Sequence, residues 1–109
     1  MTERAYGRTL RKHEQEDRRR LTAALERIET SPDLRFLLWR IIESCGMASS
    51  PFHPDPLTMA HACGKMAVGE ELIALLDAHS PSFYPDLLKE QKDAERQRTD
   101  ELANRLAAD

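Results

Sequence analysis

The 109-residue chain holds 16 basic and 19 acidic residues, for a formal charge of −3, and that balance excludes a chain built mainly to neutralise phosphate. Apolar residues make up 40% and charged residues 32%, so a chain of this length forms one domain with a small core. No apolar run approaches the ~20 residues of a membrane span, and the opening MTERAYGRTLRKHEQEDRRR lacks the apolar segment of a signal peptide, so neither a membrane partner nor export by that route is expected.

A first helical pattern runs from about Thr9 to Glu29. Between Arg11 and Arg20 it carries no large apolar residue, and Glu14/Arg18 and Glu16/Arg20 stand at (i, i+4), where surface pairing supports a helix. Leu21, Ala24, Leu25 and Ile28 anchor its end. Ser31-Pro32 then predicts a helix start, because serine can cap the first turn and proline's missing N–H costs nothing there. The second helix, about Asp33 to Cys45, is apolar on most sides and needs partners in more than one direction. Gly46 sits where a left-handed residue would close it. In the following strap, Pro51 and Pro54 stiffen the loop and Phe52 is expected to fold back onto the core.

Asp55-Pro56 marks the third helix, about Pro56 to His79. Ala60, Cys63, Gly64 and Ala67 predict a face of small residues along its first half, against which the second helix can pack closely, and Val68, Leu72, Leu75 and Leu76 continue it. Close packing would offset the cost of Gly64, whereas Gly69 has no evident reason. After Ser80-Pro81, the position of Pro85 suggests a short turn and then a fourth helix from about Asp86. From Lys89 to Glu101 its one apolar side chain is Ala94, with Lys89/Asp93 and Glu101/Arg105 at pairing distance.

The expected fold class is therefore all-α: a small bundle of about four helices, with a charged helical arm over residues 1–20, a compact core over 21–88 and a second charged arm over 89–109. Charged helices of this length are marginal alone. A neighbouring subunit or larger assembly would supply what they lack.

Candidate chemistry is sparse. Cys45, His53, His61 and Cys63 could supply a zinc shell, but there is no C-x-x-C knuckle, and residues two apart on a helix face different ways. Cys63 with His79 or His53 has no third orienting group, and Cys63 falls on the face assigned to the core, where a thiol is inert. No phosphate loop and no H-E-x-x-H motif occurs. The expectation is a non-enzyme without metal, cofactor or small-molecule ligand. Residues 8–20 hold six basic and three acidic groups; the interleaved Glu14, Glu16 and Asp17 weaken that field, so nucleic-acid contact is the competing reading and not the favoured one. Trp39, Phe36 and Phe52 are assigned to core packing, while Phe83 and Tyr84, beside Pro85, are assigned to an exposed interface. The residues singled out for partner binding are Arg11, Arg18, Arg19, Arg20, Phe83, Tyr84, Arg96 and Arg98.

The series Phe36-Leu37-Leu38-Trp39-Arg40, Glu43-Ser44-Cys45-Gly46, Phe52-His53-Pro54-Asp55-Pro56, Gly64-Lys65, Val68-Gly69, Tyr84 and Leu87-Leu88-Lys89-Glu90 resembles a family of small helical proteins encoded among the structural genes of tailed bacteriophages and typified by a protein of a Bordetella podophage. The resemblance spans about residues 31–91. It implies a virion-associated or assembly protein, made in the bacterial host cytoplasm and located in the phage particle, with no catalytic residues. Combined with the two arms, it suggests a chain that docks on a larger oligomeric phage component (portal, tail adaptor or ejected internal protein) in several symmetric copies. The alternative is a packaging or regulatory protein that uses its basic N-terminal helix on nucleic acid.

Overall fold

The computed structural model describes residues 2–108 as four helices, α1 (Glu3–Thr30), α2 (Pro32–Ser44), α3 (Pro56–His79) and α4 (Phe83–Ala108), with no strand among the described residues. The fold is all-α. Each boundary has a local cause. Thr2 caps α1, its hydroxyl accepting the Ala5 N–H at 3.2 Å, so the helix begins six residues before the expected Thr9. Ser31 caps α2 through the Leu34 N–H at 3.3 Å, with Pro32 in the first turn. Gly46, at φ 73°, takes the left-handed conformation that ends α2.

Asp55 caps α3, accepting the Thr58 N–H at 3.2 Å and the Thr58 hydroxyl at 2.6 Å. That hydroxyl, then the Thr58 and Leu57 N–H groups, hold the Asp55 carboxyl below its ordinary 3.8. Its stabilising contribution is complete above the unfolded value and is lost as pH falls through the lower folded value. The Thr58 amide shift, followed by NMR, should therefore titrate with a midpoint below 3.8, and the step should vanish in Asp55→Asn, which still caps. A midpoint at or above the ordinary value would contradict the cap geometry.

α4 begins three residues before the expected Asp86, at Phe83, after a turn in which the Phe83 N–H reaches the Ser80 carbonyl at 3.1 Å. Pro85 lies within the first turn, where no intrahelical acceptor is missed, so it starts the helix instead of delaying it.

α2 is the hub and touches the other three helices. Leu25 of α1, Leu38 and Ile42 of α2, Leu76 of α3, and Phe83 and Leu87 of α4 form one buried cluster. Around it, Arg35 donates through Nε to both carboxylate oxygens of Glu90, at 3.0 and 3.2 Å, and through a terminal nitrogen to the Glu29 carbonyl at 2.6 Å. One side chain thus ties α1, α2 and α4 together. His79 Nε2 lies 3.3 Å from Glu29 Oε2, linking α3 to α1.

Along the first half of α3 the structure reverses the expected face and leaves Val68 exposed, whereas Leu72, Leu75 and Leu76 of the second half pack inward as expected. Ala62, Met66, Gly69, Ile73 and Leu76 face the protein, whereas Ala60, Cys63, Gly64 and Ala67 face solvent. The close approach occurs at Gly69: a Cβ there would stand 2.8 Å from the Cys45 Cβ, while one at Gly64 would meet nothing within 4 Å. Cys63 is exposed and Cys45 is buried. Phe52, expected on the core, is 77% exposed.

The molecule is long and thin. Its radius of gyration is 19.9 Å and its extents are 76 × 41 × 18 Å, against roughly 13 Å for a compact chain of this length. The excess comes from α1 before Leu25 and α4 after Gln91, neither of which contributes a buried residue.

Candidate functional site

With so few buried side chains, the apolar residues left uncovered define where a partner can bind. Leu34, Leu37 and Ile41 are spaced three and four apart and so form one stripe along the outward side of α2; Leu37 is 56% exposed. Phe36, on another side of α2, is half-exposed. It lines a groove of about 360 Å³ between α2 and α4, together with Trp39, Arg40, Glu43, Gln91, Glu95, Arg98 and Leu102. Trp39 is partly buried against the core, as its place in an apolar helix suggested, but Phe36 is not a core residue. Arg40 is paired with Glu43 at 3.0 Å, so Arg98 is the groove's other cation.

Of the residues singled out from the sequence, Arg98 lies in this groove and Arg96 projects from an exposed part of α4 outside it. Phe83 is corrected: it is 3% exposed, sits in the core cluster and packs edge-on to the His79 ring at 6.1 Å. The misjudgement has a definite source. Treating Pro85 as a barrier placed Phe83 in a surface turn, whereas the residue opens the helix and points inward. Tyr84 is half-buried against the same cluster. Neither residue gives the free aromatic edge that was expected.

Arg11, Arg18, Arg19 and Arg20 are all exposed on α1, but they do not act as one cluster. At 3.6 residues per turn, Arg11, Arg18 and Arg19 share a sector with Arg4, Arg8 and Lys12, while Arg20 lies outside it. Glu14 and Glu16 fall at the borders of that sector and Asp17 beyond it. The expected pairs Glu14/Arg18, Glu16/Arg20, Lys89/Asp93 and Glu101/Arg105 are not among the ion pairs formed by the described residues. Arg4 escaped the sequence reading because the helix was started too late.

The described residues contain no group of three or more His, Cys, Asp or Glu side chains positioned to hold a metal ion, and no described helix is long and apolar enough to cross a membrane.

Residues 26–89, more than half of the chain, match the family model described as Bbp19-like phage protein. The chain belongs to the Bbp19-like phage protein family. The matched segment begins just after Leu25 and ends two residues before Gln91, so it holds five of the six residues of the buried cluster, all but Leu25, together with the Leu34, Leu37 and Ile41 stripe. Both projecting helical segments lie outside it. No curated protein and no solved structure matches the chain.

Proposed function

We infer that this Bbp19-like protein is a non-enzymatic virion-associated or assembly protein that docks on a larger oligomeric virion component, a portal, tail adaptor or internal ejected protein, in several symmetric copies. The observation that carries this reading is the Leu34, Leu37 and Ile41 stripe. It lies on a helix that contributes to the core, inside the family-matched segment, and the described residues leave Leu34, Leu37 and Ile41 41%, 56% and 46% exposed. Exposed apolar surface of this kind is costly to leave in water and marks protein contacts. The projecting parts of α1 and α4 extend the reach of such a contact, and a partner built on rotational symmetry would present the same dock several times.

Complementation of a phage deleted for this gene tests the reading. Wild-type protein should appear in purified virions or assembly intermediates at a fixed copy number. Leu37→Glu/Ile41→Glu, with unchanged far-UV circular dichroism, should be depleted at least tenfold. A copy number near the portal's symmetry would point to the neck or tail, and one in the hundreds to the shell. Absence of the wild-type protein from both virions and intermediates would sink the proposal.

A further inference from the structure

Beyond that docking role, we propose that α1 carries a binding ridge for double-stranded nucleic acid, formed by Arg4, Arg8, Arg11, Lys12, Arg18 and Arg19. Residues that alternate with acids in sequence are sorted by the helix. These six cations fall within about 120° of its circumference, and from Arg4 to Arg19 the ridge runs for about 22 Å. All six are exposed. None takes part in an ion pair among the described residues; Glu14 and Glu16 flank the ridge at its borders and offset part of its charge, but leave it net positive.

Charge is also divided along the chain. Residues 2–20 hold seven basic and four acidic groups, a net +3, so the other residues carry a net −6. The N-terminal end of the ridge escapes that acidity by distance, whereas Arg18 and Arg19, about 9–11 Å along the helix from Leu25, stand nearer to it. Arg4 is about 31 Å along the helix from Leu25, where the core begins, several times the screening length of about 8 Å at physiological salt. The positive end of the helix dipole adds to the field at the same extremity.

The chemistry favours a duplex over a single strand. Single-strand binders stack bases on aromatic side chains, and the one aromatic residue on α1, Tyr6, lies on the opposite side of the helix from the ridge. What remains is a straight row of cations on a rod that can lie along phosphates or enter a major groove about 12 Å wide. No side chain is set by its surroundings to read a base, so binding should be independent of sequence.

Fluorescence anisotropy of the purified full chain on two unrelated 30-base-pair duplexes tests this. Both should bind equally at 50 mM salt. With four to six phosphates neutralised, affinity should fall roughly 10²–10³-fold by 200 mM. Arg4→Glu/Arg8→Glu/Arg11→Glu/Arg19→Glu, checked for retained helicity, should lose binding at least 100-fold, whereas Arg20→Glu, off the ridge, should change it less than threefold. No duplex binding at 50 mM, a salt slope unaltered by the fourfold reversal, or equal loss in Arg20→Glu would overturn the proposal. So would tighter binding to the single strand, or binding to poly-glutamate in place of DNA, which would make the ridge a protein contact. Because no virion component is present, failure here leaves the docking reading untouched, and the converse also holds.

Discussion

Replacing Leu76 by alanine should remove about 2–5 kcal/mol of folding free energy, measured by urea denaturation. Leu76 has no solvent exposure and stands where all four helices meet, beside Ile42 and Leu87, each 1% exposed. Truncation removes the transfer free energy of the side chain and leaves a void that few neighbours can fill. The cluster has only six members, so each carries a large share of a total that for small domains is about 5–15 kcal/mol. At the upper end of the range the variant would be largely unfolded at room temperature. Leu37→Ala is the matching control: the same atoms leave a half-exposed position, and the cost should be within about 0.5 kcal/mol. Equal losses at the two positions would mean that the stripe on α2 is core and not a docking surface.

The contrast shows which features could be read in the residues. Ser31, Gly46 and Asp55 act on their own neighbours, through one hydroxyl, one left-handed backbone angle and one carboxylate. Such effects travel three residues or fewer, and sequence shows them directly. The start of α1 was missed because a lone Thr2 followed by charged residues gives no apolar period to find. Facing is harder. α2 has leucine, isoleucine or an aromatic on nearly every side, so its pattern does not say whether Leu37 or Leu38 is buried; only the positions of α1, α3 and α4 decide that Leu38 is. The first half of α3 has small residues on both sides, and the same ambiguity reversed its face there.

The candidate surfaces were partly legible for a related reason. Counting charges along residues 8–20 mixes groups that a helix sorts by face: Asp17 lies away from the row of cations, whereas Glu14 and Glu16 flank it one turn from Arg11, Lys12, Arg18 and Arg19. A helix that begins at Glu3 brings Arg4 into the row, and the helical period moves Arg20 out of it. The apolar residues of α1, Tyr6, Leu10 and Leu21, occupy the side opposite the ridge and remain exposed. One face of the rod therefore offers cations and the other apolar groups. If both proposals hold, nucleic acid would meet the first face and a protein partner the second.

The reversed face in the first half of α3 supplies the sharpest remaining test, because it predicts opposite signs for the same chemical change. Gly64→Ala adds a methyl to an exposed helix interior with nothing within 4 Å, and should stabilise by about 1 kcal/mol through helix propensity alone. Gly69→Ala gains the same propensity but brings its Cβ to 2.6 Å from Met47 Sδ and 2.8 Å from Cys45 Cβ. The methionine can swing aside. The Cys45 Cβ cannot, because it is fixed to the backbone at the end of α2, next to the left-handed Gly46. α3 must instead draw back from α2, at an overpacking cost of about 1–3 kcal/mol that exceeds the propensity gain at all but the lowest values. The net effect in thermal or urea unfolding should be destabilisation by up to about 2 kcal/mol. In a Met47→Ala background the loss should persist, since the obstacle is Cys45; full relief there would reassign it to the methionine. Gly69→Ala as stable as Gly64→Ala would mean that α2 and α3 do not approach at this point.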